Sequence, residues 1–237
     1  MSTQPPAPRY GDFLAANRGG NLFTLHVNQR VGAVFASLGY RFGLAPTVLT
    51  LVNLVFSVGG AVAVIAVAGP ASRGELPWWP VALLAAVCWQ IAYSLDCADG
   101  QLARVAGSGS PAGKRIDILC DVVSQTTFVA AIVTVVTTYH PDTPTWFIGG
   151  FCALWMVNLV TSILQTGESS GSIVKSRNLV VELVKCIRDT GVIVLAAPLL
   201  LIIAPQWMLW FAVFFAVTNG LFLAASIAVT ARAALRH

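Results

Sequence analysis

Charge is what this chain has least of. Only 10% of its 237 residues are Asp, Glu, Lys or Arg, against 57% hydrophobic, and the mean hydropathy is +0.77. Soluble domains carry roughly a quarter charged residues, so a soluble fold is excluded. Paired cysteines are missing too. The five cysteines stand singly, without a CxxC pair, which excludes a disulfide or zinc framework and leaves small core residues. His26, His140 and His237 do not cluster in sequence. There is no internal repeat, and nucleic acid is not an expected partner. Residues 1–21 are polar and rich in Pro and Gly with no apolar h-region, so a cleaved signal peptide is not expected there.

What the chain does have is long apolar runs. About 20 apolar residues cross a bilayer, and six stretches reach that length: 46–68, 80–103, 116–139, 145–165, 186–204 and 207–231. The expected fold is therefore all-α, a polytopic membrane protein with six transmembrane helices. Six spans put both termini on one side with the loops near 104–115 and 166–185. That side holds thirteen of the fourteen basic residues; Arg73 alone falls on the other. The positive-inside rule then makes both termini cytoplasmic, with the plasma membrane as the expected location. Trp79, Trp146, Trp207 and Trp210 fall near span ends on the opposite side, where indoles anchor at the interface.

Three segments are expected: a disordered tail over 1–20, an amphipathic surface helix over 21–45, and a six-helix domain over 46–237. The second rests on Leu22, Leu25, Val27, Val31, Val34, Phe35, Leu38 and Phe42. These recur near helical spacing, with His26, Asn28, Gln29, Arg30 and Arg41 between them.

Four of the ten acids sit where charge is scarcest, in "SLDCADGQLARVAGSGSPAGKRIDILCDVV". Asp96 and Asp99 are three residues apart, Asp117 and Asp121 four, so each pair shares one helix face. Gly107, Ser108, Gly109, Ser110, Pro111 and Gly113 lie between the pairs and suit a tight hairpin that sets the two helices antiparallel. Four carboxylates in a low-dielectric site must protonate, pair with bases or bind metal. Oxygen ligands favour hard cations such as magnesium or manganese. The competing reading is a structural network neutralised by Arg104, Lys114 and Arg115. Gly100, Gly113 and Ala103 argue for an anionic ligand instead, because a small residue lets phosphate approach the backbone. Arg104 can reach that phosphate.

The order Asp96-x2-Asp99-Gly100-x2-Ala103-Arg104-x8-Gly113-x3-Asp117-x3-Asp121 resembles the signature of the CDP-alcohol phosphotransferase family. "GLAPTVLT" is similar to that family's entry to the first span. The resemblance implies that Asp96, Asp99, Asp117 and Asp121 are ligands of two divalent ions, magnesium or manganese, and that Asp121 is also the general base. It implies nucleotide contacts at Thr47, Thr50, Gly100, Ala103, Arg104, Ser110 and Gly113; many members have Asn or Asp where Thr47 stands. A CDP-linked donor, CDP-diacylglycerol in the first instance, would pass its substituted phosphate to an alcohol and release CMP. A CDP-linked head group with a diacylglycerol acceptor is the variant of the same reaction. The resemblance also suggests a homodimer.

For the acceptor, the loop between the fourth and fifth spans offers Lys175 and Arg177. Lys175-Ser176-Arg177 loosely resembles the Lys-Ala-Arg stretch of bacterial phosphatidylinositol-phosphate synthases, without its flanking Tyr and acid. Inositol phosphate or a related polyol phosphate is the expected acceptor on that basis. Two rival classes remain: a cation transporter using intramembrane carboxylates, and a silent relative acting as a scaffold. A transporter would spread its acids over several helices near the midplane, and a silent relative would have lost an aspartate.

Overall fold

A computed structural model describes residues 7–17, 19–165 and 189–235. Helices dominate: α1 (Tyr10–Ala15), α2 (Gln29–Arg41, entered through a π-helical turn at Thr24–Asn28), α3 (Pro46–Ser72), α4 (Trp79–Val105), α5 (Pro111–Tyr139), α6 (Thr145–Gln165), α7 (Thr190–Ile203) and α8 (Met208–Ala234). Among the described residues there is no strand. Segments Pro46–Ser72, Trp79–Val105, Pro111–Tyr139 and Pro205–Ala225 are long and apolar enough to cross a bilayer, and Thr145–Thr161 and Thr190–Ile203 are shorter apolar stretches. The chain is an integral membrane protein, with four such long helices among the described residues. The expected fifth span began at residue 186, outside the described residues; its described part starts at Thr190. Lys175, Arg177 and Cys186 also lie outside them.

Proline and serine set the helix starts. Pro46 and Pro111 occupy the first turns of α3 and α5, where the missing N–H costs nothing. Ser110 caps α5, its Oγ accepting from the Gly113 N–H at 3.0 Å. That cap starts α5 at Pro111, five residues before the expected 116, and draws Gly113, Lys114 and Arg115 into its first turn. The hairpin between α4 and α5 shrinks to residues 106–110, with Gly107 at φ +62°, the left-handed conformation that follows many helix ends.

Lipid removes the hydrophobic drive between helices, so close packing must hold them together. In the α3–α4 contact, a Cβ on Gly60 would lie 3.0 Å from Trp89 Nε1. The same indole N–H donates to the Ser57 carbonyl at 3.1 Å. Trp89, Phe128, Trp155 and Phe215 then form an aromatic column through α4, α5, α6 and α8, with centroids 4.6, 5.4 and 3.9 Å apart. Each such pair is worth about 0.5–1.5 kcal/mol beyond its buried area. At the end opposite the α4–α5 turn, Trp78 Nε1 donates to Tyr139 Oη at 2.6 Å, and Trp79, Trp146, Trp207 and Trp210 stand exposed. Cys88, Cys97, Cys120 and Cys152 are free thiols.

Helix α2 has two apolar faces rather than one. Gly32, Ala33, Ala36 and Gly39 are buried, and a Cβ on Gly32 would come 2.9 Å from the Ser94 carbonyl of α4. On the other side Val27, Val31, Val34, Leu38 and Phe42 form an exposed stripe. Phe35 of the expected apolar face turns inward instead and packs beside the buried Leu49, Leu95 and Leu102.

Candidate active site

The antiparallel hairpin turns two pairs of aspartates into two rungs. Counting from the turn, Asp99 of α4 and Asp117 of α5 form the shallow rung and Asp96 and Asp121 the deep one. Three residues of helical rise on α4, about 4.5 Å, and four on α5, about 6 Å, separate the rungs. Carboxylate oxygens of Asp96, Asp99 and Asp117 all lie within 4.8 Å of one another. Asp96 and Asp121 line one cavity.

Each rung has a different environment. Asp99 is 6% exposed, and its Oδ2 accepts from Thr50 Oγ1 at 2.5 Å. Thr50 is itself buried on α3, a turn into the helix that Pro46 begins. Asp117 Oδ1 is buried with no hydrogen-bond partner among the described residues. One ion pair among the described residues joins Arg73 to Glu75, at 2.6 Å on the exposed far turn. Four carboxylates with the Thr50 hydroxyl on one and an unpartnered oxygen on another are a set of acceptors short of donors. Oxygens bound to one magnesium ion, at about 2.0–2.1 Å each, lie up to roughly 4.2 Å apart. The 4.8 Å cluster therefore fits a small hard cation after shifts of tenths of an ångström.

The remaining predicted residues gather at the mouth. A Cβ on Gly113 would lie 3.1 Å from Ser110 Oγ and 3.8 Å from Thr47 Oγ1, so these three sit together. Arg104 Nε donates to the Ala16 carbonyl at 2.6 Å. Its guanidinium lies over Gly100, where a Cβ would meet Nη1 at 3.0 Å. The clearance at Gly100 is thus occupied by the chain's own arginine. Ala103 is partly buried one turn further along α4.

Sequence reading missed what lies deeper. Beyond Asp96 and Asp121 a cavity of about 230 Å³ is lined by Asn53, Ser57, Tyr93, Ser124, Gln125 and Phe128, among others, and by no Lys or Arg among the described residues. The signal was present. Asn53 and Ser57 continue the face of Thr50 at three and seven residues, and Ser124 and Gln125 follow Asp121 at three and four. Polar side chains one turn beyond a carboxylate, inside an apolar span, mark the same face.

Cholinephosphotransferase 1 of Mus musculus is 35% identical over 135 residues, which cover 53% of this chain and 32% of that protein. The Bos taurus protein of the same name is 36% identical over 135 residues, again 53% and 32%, and the Homo sapiens one 35% over 136, 53% and 32%. The match thus spans about a third of the length of these relatives. Residues 43–218, from the entry of α3 into α8, match the family described as CDP-alcohol phosphatidyltransferase. With four aspartates on two facing helices and this match across most of its length, the chain belongs to the CDP-alcohol phosphatidyltransferase family.

Proposed function

We propose that this chain transfers a substituted phosphate from a CDP-linked alcohol to a lipid hydroxyl and releases CMP. The clustering of Asp96, Asp99 and Asp117 oxygens within 4.8 Å carries the reading. These three carboxylates, with Asp121, would hold two divalent cations, magnesium or manganese. When bound, such ions clamp a diphosphate and offset the charge that develops as CMP leaves. Thr50 fixes the Asp99 carboxylate through its 2.5 Å hydrogen bond. Thr47, Ser110 and Gly113 border the space for the nucleotide at the mouth. Asp121, on the deep rung and facing the cavity, takes the proton of the attacking hydroxyl.

Position along α5 supports the head-group form of the donor. Ser110, Gly113, Asp117, Asp121, Ser124 and Gln125 follow one another inward from the turn. A nucleotide at the mouth and a diphosphate at the rungs put the β-phosphate substituent in the cavity. At about 230 Å³ the cavity is below the roughly 300–1,000 Å³ of drug-sized ligand sites. It suits a small head group and not two acyl chains. Similarity to cholinephosphotransferases favours the same choice over CDP-diacylglycerol. Neither similarity nor cavity supports inositol phosphate as acceptor: no described base lines the space, and Lys175 and Arg177 lie outside the described residues. A transporter is disfavoured because the four acids sit on two adjacent helices.

The basic residues argue for a cytoplasmic active site and the family resemblance for a homodimer, with the plasma membrane as the proposed location. The α2 stripe of Val27, Val31, Val34, Leu38 and Phe42, with Arg30 and Arg41 exposed beside it, supports a helix at the membrane surface. The test is CMP release by purified protein with dioleoylglycerol and CDP-choline or CDP-ethanolamine, against CDP-diacylglycerol with inositol phosphate. Release from the first set that stops on chelation is expected. Release from the second alone reverses the donor assignment, and release from neither removes the reading.

A further inference from the structure

A second polar cluster lies behind one wall of the cavity, and its proton count is fixed. Asp189, 1% exposed, caps α7 by accepting from the Gly191 N–H at 3.0 Å. Its other oxygen, Oδ2, accepts from the Thr24 N–H at 3.0 Å, and Oδ1 also accepts from the Thr24 hydroxyl. Thr24 Oγ1 lies 3.2 Å from Tyr93 Oη. A hydroxyl owns one proton. Thr24 gives its proton to the carboxylate, so Tyr93 must donate to Thr24. Tyr93 lines the cavity, and with its proton engaged by Thr24 its phenol oxygen has only lone pairs left to offer a ligand there.

The surroundings hold this arrangement in place. Asn28 Nδ2 donates to Gln90 Oε1 at 2.9 Å and to Ser94 Oγ at 3.2 Å, and Gln90 Nε2 donates to the Gly191 carbonyl at 2.9 Å. Residues 24–28, α4 and the start of α7 are thereby tied together, and Thr190 and Val194 of α7 complete the cavity wall. On the opposite wall, Gln125 Oε1 is occupied by Trp155 Nε1 at 2.7 Å.

We propose that Tyr93, held as a hydrogen-bond acceptor by Thr24 and Asp189, selects CDP-linked alcohols whose head group carries an N–H or O–H donor. This rests on the donor orientation given above. The proton of the attacking hydroxyl goes to Asp121, so Tyr93 serves a different group: one on the alcohol already esterified to the β-phosphate. A primary ammonium or a free hydroxyl meets the requirement, and a quaternary ammonium has no proton to offer. The primary and quaternary ammonium carry the same unit charge, so charge does not discriminate between them; the N–H does. Tyr93 is the specificity-determining contact, and Thr24 and Asp189 are positioning residues.

Equilibrium binding of CDP-ethanolamine, CDP-glycerol and CDP-choline to magnesium-loaded full-length protein, by calorimetry, tests this without turnover. One lost hydrogen bond is worth up to about ten-fold, so wild type should bind the first two roughly ten-fold more tightly than CDP-choline. Tyr93→Phe should erase the difference while leaving CDP-choline affinity unchanged. Thr24→Val should erase most of it, Thr24→Ser should keep it, and the Tyr93→Phe/Thr24→Val double variant should lose no more than Tyr93→Phe alone. The two hydrogen-bearing ligands separate ammonium from hydroxyl as the preferred donor. Equal wild-type affinities, no binding of any of the three, or a preference that survives Tyr93→Phe overturns the proposal. Failure of the transfer reading is seen separately, as absence of CMP release from every donor.

Discussion

Two buried acidic centres lie within a few turns of each other and are built on opposite plans. Asp189 is saturated: two backbone N–H groups and one hydroxyl point at it. The four aspartates of α4 and α5 are starved, with one threonine hydroxyl on Asp99 and an orphan oxygen on Asp117. A carboxylate whose lone pairs are met by the protein serves structure, here the register of residues 24–28 against α4 and α7. Carboxylates left unmet await a ligand that brings positive charge. The difference separates a strut from a site, although both are acidic, buried and within the same bundle.

The strongest way to break the comparison is to remove the base. Asp121→Asn should lower single-turnover CMP release by on the order of 10²–10⁴-fold, with CDP-donor affinity largely kept. A variant within a few-fold of wild type would place the base elsewhere. Next in size, Thr50→Val removes the hydroxyl donor on Asp99. Outer-shell partners of ligating side chains are worth about 10–100-fold in metal affinity, so titration of the activity with magnesium should shift upward by that order.

Packing changes should act on stability and not on chemistry. A Cβ on Gly32 would meet the Ser94 carbonyl at 2.9 Å, a backbone atom that cannot rotate away. Gly32→Ala should cost about 1–3 kcal/mol as overpacking and lower the melting temperature in detergent. Its magnesium requirement should match wild type. Gly191→Ala should cost more, since its Cβ would collide with Asn28 Oδ1 and with Phe23. The smallest effect is expected from Lys175→Gln with Arg177→Gln. With a neutral lipid acceptor these bases set orientation only, so the acceptor KM should stay near wild type. A rise of about ten-fold, the worth of a lost charge-assisted hydrogen bond, would restore an anionic acceptor.

The aspartate site was legible in the sequence because its information is local. Spacings of three and four fix a helix face, and a glycine-rich turn brings two faces together. The helix starts were less legible: the Ser110 cap with Pro111 extends α5 backward through residues that read as loop. The two-sided character of α2 was hidden because small residues and large apolar ones both score as hydrophobic, while only Gly and Ala admit α4 at contact distance. The Asp189 strut could not be read at all. Its partner Thr24 is 165 residues away, and nothing in either neighbourhood announces the other. Tyr93 passed for one more aromatic of an apolar span.

The contrast between the two acidic centres can be measured directly by counting bound manganese. Equilibrium titration of the purified protein with Mn²⁺, followed by electron paramagnetic resonance, should give two bound ions for wild type. Asp99→Asn should weaken or abolish that binding, whereas Asp189→Asn should leave its stoichiometry unchanged. Undiminished manganese binding by Asp99→Asn, or loss in Asp189→Asn alone, would contradict the assignment of site and strut.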